Sequence, residues 1–482
     1  MNATLLAKLK QRVEPNLLVN KTLSRQLSGD FNLPSFVRDW FLKDVHEHDA
    51  VKSMPAIRQR IQEIMPTPAT WGKFLDRLRS GETVKILSKV AIHVDLKQDL
   101  LSFSIADFGL TANETYIGND RWQSFKQSFL NTVGSVWGVL TLHFQDVTIG
   151  KKTEKRICLE DFRYFAPFKV NVDHLAYIRE GFTVEEWVDI VLSSIDYQAS
   201  GFPSFASQLT FLQRLLPFVE PRLNLFEFAP KGTGKTYIFS QLSNKVWWAS
   251  GGIISRAKFF YDMTLKSHGL VAHYDVLALD EISTITFPNE GEMQSALKGY
   301  LETGRYTVGN SAGQSNCSFI LLGNIPMEDM QGDRNMTKTL PKIFQDSALL
   351  DRFHGLIEGW NIPRFNESMK MSGLALSSEF YAEMMHQLRN ETIYETIASS
   401  LIEIPPQADT RDTNAIKRVA SALMKILFPH WRILAKVNRE EFSTYCLKPA
   451  IQMRQLIKQQ MSYLDVQFKH YQLEGYQVKD AN

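Results

Sequence analysis

Residues 223–236 read LNLFEFAPKGTGKT. Apolar side chains alternate along LNLFEF, as in a strand. The next letters are rich in glycine, and KTYIFSQLS then has helical spacing. Strand, glycine-rich loop and helix form the context of a P-loop, in which successive backbone N–H groups and a helix N-terminus surround phosphates. Pro230, Lys231, Gly232, Thr233 and Gly234 are expected to form the cradle. Lys235 should reach the β and γ phosphates of ATP, and Thr236 should offer its hydroxyl to Mg²⁺. One letter departs from G-x-x-x-x-G-K-[ST]: Ala229 stands at the first glycine. It falls at the strand exit, where a methyl group is tolerated if φ stays negative.

Three further stretches follow in an order that suits nucleotide hydrolysis. VLALDEIS (276–283) is an apolar run that delivers two carboxylates at its end. Ligands bind at that edge of an open α/β sheet. Asp280 is expected to hold Mg²⁺ and Glu281 to polarise the attacking water. SFILLGNI (318–325) ends in Asn324, placed to hydrogen-bond the γ-phosphate or the water. LLDRFHG (349–355) carries Arg352, which could serve a neighbouring copy's nucleotide as an arginine finger; Arg364 and Arg334 are the alternatives.

The pattern along the chain suggests four spans. Residues 1–83 read as helical, with Ser35 a candidate cap. Residues 84–200 are β-rich with connecting helices, suggesting a small barrel of OB type; Thr183 and Glu186 suit a capping box there. Residues 201–365 alternate helix and strand, implying a parallel sheet with flanking helices. Residues 366–482 read as a helical lid and tail. The expected fold class is thus an α/β core with a helical lid and an N-terminal α+β region.

Composition narrows the function classes little. In 482 residues, Lys plus Arg number 54 and Asp plus Glu 52, so any nucleic-acid argument must be local. Between 411 and 460, ten basic residues face three acidic ones. Such a stripe could follow a phosphate backbone or be a solvated or inter-subunit face. The three cysteines, Cys158, Cys317 and Cys446, have no metal-ligand spacing and suit a reducing cytoplasm. No apolar run approaches the roughly 18 residues of a membrane span, and MNATLLAKLKQRVEP lacks a secretory signal's apolar core. A cytoplasmic protein without a membrane segment is therefore expected.

The order P-loop, Asp-Glu strand, Asn-ended strand and arginine resembles the AAA+ ATPases. RDTNAIKRVASALMKI (411–426) resembles the lid helix of MCM helicases, R-x-L-E-x-x-I-R-x-S-x-A, with Arg411 and Arg418 at its two arginines. Thr413 and Asn414 replace the L-E pair, so either arginine can be the sensor-2 residue. FEFAPKGTGKTYIFSQLS, LALDEIS, LKGYLETGRYTVG, DRFHGLIEGWNIPRF, LEDFRYFAPF and FTVEEWVDIVLSSIDY together resemble the BrxL family of bacterial BREX phage-defence systems, also labelled Lon-like.

That resemblance implies a homo-oligomeric ring, of six or seven subunits and single or stacked. It also implies DNA binding, duplex and without sequence preference, and work beside other phage-defence proteins. Three regions could meet DNA. One is a hairpin within 304–320, with its turn expected over Asn310–Gly313 and Arg305, Asn310 and Ser311 as contacts. The second is the basic stripe. The third is the β-rich span, through Lys85, Lys89, Lys151 and Lys152. A DNA motor, a protein remodeller and an ATP-assembled DNA clamp all stay open. The Lon label raises proteolysis. The lid is read to about 440, about 40 residues follow it, and no P-K-D-G-x-S-A segment occurs, so protease activity is not expected.

Overall fold

The computed structural model describes every residue except 32, 49–53, 96–98, 131–134, 151, 165–169, 265, 327, 329–333, 470–471 and 481–482. The chain divides into two compact units. The larger comprises Met1–Ser24, Pro34–Phe36 and Phe168–Asn482; the smaller comprises Arg25–Leu33 and Val37–Pro167. The first 24 residues therefore group with the P-loop unit, not with the helices that follow them.

The larger unit is built on five parallel strands: β1 (Leu225–Ala229), β2 (Val246–Ile253), β3 (Val276–Thr286), β4 (Ser318–Asn324) and β5 (Gly355–Glu358), in the order β5-β1-β4-β3-β2. Strand side chains alternate between faces, and here both faces are covered. Leu225, Val276, Ala278, Ile320, Leu322 and Ile357 join one buried cluster; Phe226, Phe228, Leu277, Leu279, Phe319, Leu321 and Leu356 join another. This double burial explains why β1, β3 and β4 read as nearly continuous apolar runs, whereas β2 at the sheet edge does not. The first cluster is closed by α3 (Thr410–Leu427) through Ile416, Val419, Ala420 and Leu423. The second is closed by α2 (Glu290–Thr303) through Met293, Leu297 and Tyr300, and by Leu456, Ile457 and Met461 of α4 (Lys448–Ser462). The helix α1 (Lys235–Gln241) leaves the P-loop.

In the smaller unit, strands Val84–Asp95, Leu100–Ser104, Thr115–Tyr116, Val136–Ile149 and Lys152–Tyr164 form one sheet. Counted along the chain, their order is second, first, fourth, fifth, third. The third strand runs parallel to the fifth. Ile117 N–H donates to Leu101 C=O (2.9 Å), and Phe103 N–H donates to Thr115 Oγ1 (2.9 Å), linking the third strand back to the second. Helix Asn119–Leu130 lies between the third and fourth strands in sequence. Val84, Ile86, Val90, Phe103, Leu140 and Leu142 fill the interior.

Local expectations fare differently. Thr183 and Glu186 form the capping box reciprocally (3.0 and 3.2 Å). Ser35 begins its helix instead of capping it, and its hydroxyl donates to Gln241 C=O (3.0 Å). The 304–320 hairpin pairs Arg305–Val308 with Ser311–Gln314. Its turn is therefore Gly309–Asn310, and Ser311 to Gln314 belong to a strand, because Gly309 at φ 58° supplies the left-handed turn position. Among the described residues, no helix is long and apolar enough to cross a membrane.

Candidate nucleotide site

The P-loop owes its shape to two glycines in the left-handed region, Gly232 (φ 83°) and Gly234 (φ 79°). A side chain at Gly234 would meet Tyr197 Oη at 2.5 Å, whereas the space over Gly232 is open. Ala229 lies outside the positive-φ region, as a residue with a β-carbon requires. Room for its methyl group is made across the strand edge by Gly359, where a β-carbon would sit 2.4 Å from that of Ala229. The glycine absent from position 229 has a spatial counterpart at 359.

Lys235 and Thr236 follow at the start of α1. Lys235 Nζ donates to Asn324 Oδ1 (2.7 Å) and Pro230 C=O (3.2 Å). Burial lowers the pKa of this ammonium, Glu227 opposes that shift, and Arg214 adds to it. Thr236 Oγ1 donates to Asp280 Oδ2 (3.0 Å), and Asp280 Oδ1 accepts from the Glu281 N–H (2.9 Å). Glu281 has φ 49°, an unusual value for a residue with a side chain. It sits where the β3–β2 register breaks, between Asp280 and Ile285. Such an irregularity re-aims a side chain at a strand end. Asp280 is buried and Glu281 exposed. Ser250 of β2 donates to Glu281 Oε2 (3.1 Å).

These contacts bring Lys235, Thr236, Asp280, Glu281 and Asn324 together at the C-terminal edge of three adjacent strands. Hard oxygen donors from Thr236 and Asp280 fit Mg²⁺. The open space over Gly232 and the N-terminus of α1 fit polyphosphate. Pro230 and Lys231 belong to the same loop, with Lys231 exposed.

Sequence reasoning missed Arg214 and Glu227. Both are fully buried and joined by two contacts, Nε to Oε2 (2.9 Å) and Nη2 to Oε1 (2.5 Å). Arg214 also donates to Thr233 C=O (2.8 Å) and Thr233 Oγ1 (3.0 Å), holding the loop from beneath. The available signal was a lone Glu inside the apolar run LNLFEF, which calls for a buried cation.

The arginines lie elsewhere. Arg352 and Arg418 line a cavity of about 290 Å³ with Arg222 and Arg411. Arg222 precedes β1 and Arg352 precedes β5, so the cavity lies at the strands' N-terminal end. The five residues of β1, at about 3.3 Å each, put it about 17 Å from the P-loop. Arg352 and Arg411 both meet Glu302 (3.0 and 3.1 Å). Arg418 donates to Pro221 and Arg222 carbonyls (3.3 and 3.4 Å). Arg364 lies beside the chain's own loop, since Phe365 N–H donates to Gly232 C=O (2.8 Å).

Of the DNA candidates, Arg305 and Asn310 are exposed on the hairpin and Ser311 is half-buried. A second short hairpin, Tyr261–Asp262 with Ser267–His268, adjoins it. Met263 approaches Gly309, and His268 Nδ1 lies 2.8 Å from Tyr306 Oη. Lys85, Lys89 and Lys152 are exposed in the smaller unit, Lys89 with its Nζ over the Trp137 ring (5.7 Å). Lys151 lies outside the described residues. The basic stripe of 411–460 is partly spent inside the chain, with Lys436 and Lys448 left exposed. Arg411, Lys425, Arg432, Arg454 and Lys458 are ion-paired within the chain, and Lys425, Arg454 and Lys458 are buried.

Comparison with known proteins points to one family. The family model described as "Lon-like protease BrxL-like, ATPase domain" matches residues 157–474. The one described as "BREX system Lon protease-like protein BrxL N-terminal" matches residues 13–144. Two curated proteins named "Lon-like protease BrxL" are similar over 467 residues. That of Escherichia coli O9:H4 (strain HS) is 25% identical, covering 94% of this chain and 65% of its own length. That of Bacillus cereus (strain H3081.97) is 24% identical, covering 95% and 68%. The chain thus spans about two thirds of the length of these relatives.

Proposed function

This chain belongs to the BrxL family, and from that premise we propose that it is an ATP hydrolase of AAA+ type that assembles as a ring and acts on DNA in phage defence. The observation that carries the hydrolase assignment is the convergence of Lys235, Thr236, Asp280, Glu281 and Asn324 at one sheet edge. Bound Mg²⁺ supplies charge neutralisation for the β and γ phosphates. Thr236 and Asp280 would hold it. Lys235 exchanges its contacts with Asn324 and the Pro230 carbonyl for phosphate oxygens, and Asn324 is then freed for the γ-phosphate or the water. Glu281 leaves Ser250 and orients the water as general base. Glu281→Gln is expected to keep nucleotide binding and lose turnover by about 10²-fold or more, the scale of general-base catalysis. Lys235→Ala is expected to lose nucleotide binding, read by titration with a fluorescent ATP analogue. A Glu281→Gln protein that hydrolyses ATP at the wild-type rate refutes the site.

The ring rests on Arg352, Arg411 and Arg418. They stand at the sheet end opposite their own P-loop and suit the phosphates of a neighbouring copy in a ring of six or seven subunits. DNA is favoured over protein threading by one observation. Phe287, the aromatic nearest to a threading loop, is buried against Phe259 and Phe344. For the smaller unit, the parallel pairing of third and fifth strands and the links closing third to second support an OB-type barrel. We assign the helices between 378 and 462 to the lid.

Among the described residues, one contact between Ser and Lys side chains bears on the relatives' protease name, and its chemistry is wrong. Lys21 Nζ donates to Ser378 Oγ (2.7 Å), but it also ion-pairs with Asp196 (2.9 Å). Ser378 is fully buried and its hydroxyl donates to Ser194 C=O (2.8 Å). An ion-paired lysine and a committed, inaccessible hydroxyl make a structural pair.

A further inference from the structure

Glu302 has no part in the chemistry above, yet it holds two of the three arginines on which the ring rests. Its carboxylate lies 3.0 Å from Arg352 Nε and 3.1 Å from Arg411 Nη2. Asp351 takes the other side of Arg411 (3.0 Å). The Glu302 and Arg411 side chains are each about two-fifths exposed. A carboxylate pair in such a setting is weak and competes poorly with a phosphate, which offers more charge and several acceptor oxygens to two guanidinium forks.

Glu302 also has a fixed place in the chain. It is the penultimate residue of α2, and Gly304, left-handed at φ 74°, turns the helix directly into the Arg305–Gln314 hairpin. The hairpin base is tight. Gly304 C=O accepts from Ser315 N–H (2.9 Å), and a β-carbon at 304 would sit 2.7 Å from both Ser315 C=O and Arg222 Cδ. Arg222 lines the same cavity as Arg352 and Arg411, and its Nε is buried without a hydrogen-bond partner. The arginine cavity and the hairpin base therefore share one short segment, 302–304.

We propose that Glu302 is a counter-ion latch. It holds Arg352 and Arg411 until the phosphates of a second copy's nucleotide displace it, and its release shifts the hairpin base and hence the hairpin tip. This deepens the ring assignment and rests on it. Glu302 is a positioning residue: it touches neither the nucleotide nor the reacting water.

The test uses the full chain with a fluorophore at the hairpin tip, introduced as Asn310→Cys. Cys158, Cys317 and Cys446 are buried, so labelling is confined to residue 310. In the Glu302 background, a non-hydrolysable ATP analogue is expected to shift the probe. With Glu302→Gln, the probe is expected to start at the shifted value and respond little. Steady-state ATPase of the same variant should rise about two- to fivefold in kcat, the range equivalent to losing one exposed ion pair, with KM unchanged. Glu302→Asp, which keeps the charge, should restore the wild-type pattern in part. A Glu302→Gln protein whose probe response and kcat match those of the parent overturns the latch. Arg352→Ala and Arg411→Ala separate the two levels. If both hydrolyse ATP as the wild type does, the ring assignment of the arginines has failed. If they are impaired while Glu302→Gln is silent, only the latch has failed.

Discussion

The juxtaposition of Lys235, Thr236, Asp280, Glu281 and Asn324 was legible in the sequence because each belongs to a short motif read in order. What surrounds them was not legible. Gly359 accommodates the Ala229 methyl from 130 positions away, and Arg214 clamps Thr233 from a different element. Contacts of that kind are set by packing, which no local pattern records. Arg214 yields a prediction at this scale. Removing one partner of a buried ion pair leaves the other charged and unsolvated, at a cost of about 3–5 kcal/mol. Arg214→Met should therefore destabilise the protein by about that amount in denaturant titration. Arg214→Met combined with Glu227→Gln should cost clearly less. Equal losses in the single and double variants would mean that Glu227 is not what Arg214 neutralises.

Among the elements, α2, α3 and the strands β1, β3 and β4 follow the apolar periodicity of the sequence; β2, a half-buried edge strand with two glycines, and the short β5 were not read from it. The hairpin turn and the helix start at Ser35 do not, because both hinge on single-residue geometry: a left-handed Gly309 and a serine hydroxyl spent on Gln241. The basic stripe of 411–460 was legible only as a count of charges, since composition does not record the carboxylates that meet Lys425, Arg454 and Lys458. The end of α3 carries a testable consequence. Burial, with Arg179 and Lys436 adding to it, lowers His430 from 6.5 to about 4. A histidine whose folded pKa is depressed takes up its proton preferentially in the unfolded chain. Its contribution to stability is complete above about pH 6.5 and is lost as pH falls towards 4. The Tm of the wild type should fall across that window more steeply than that of His430→Gln. Parallel acid limbs in the two proteins would remove His430 from the account.

At the scale of the whole molecule, the proposed catalytic carboxylates and the arginines occupy opposite ends of one sheet, about 17 Å apart by the length of β1. A single copy therefore cannot bring both to one phosphate; in the proposed ring, the complete site is one that two copies share. Glu281→Gln spoils one face of each copy and Arg352→Ala the other. The most direct measurement is the ATPase rate of co-expressed, co-purified mixed assemblies of these two variants. Each variant alone should be inactive. In an equal random mixture, about one interface in four joins an intact Glu281 to an intact Arg352 in a head-to-tail ring, so about a quarter of the wild-type rate should return. Co-assembled variants that remain as inactive as either parent, or an Arg352→Ala protein with wild-type turnover, would contradict the shared site.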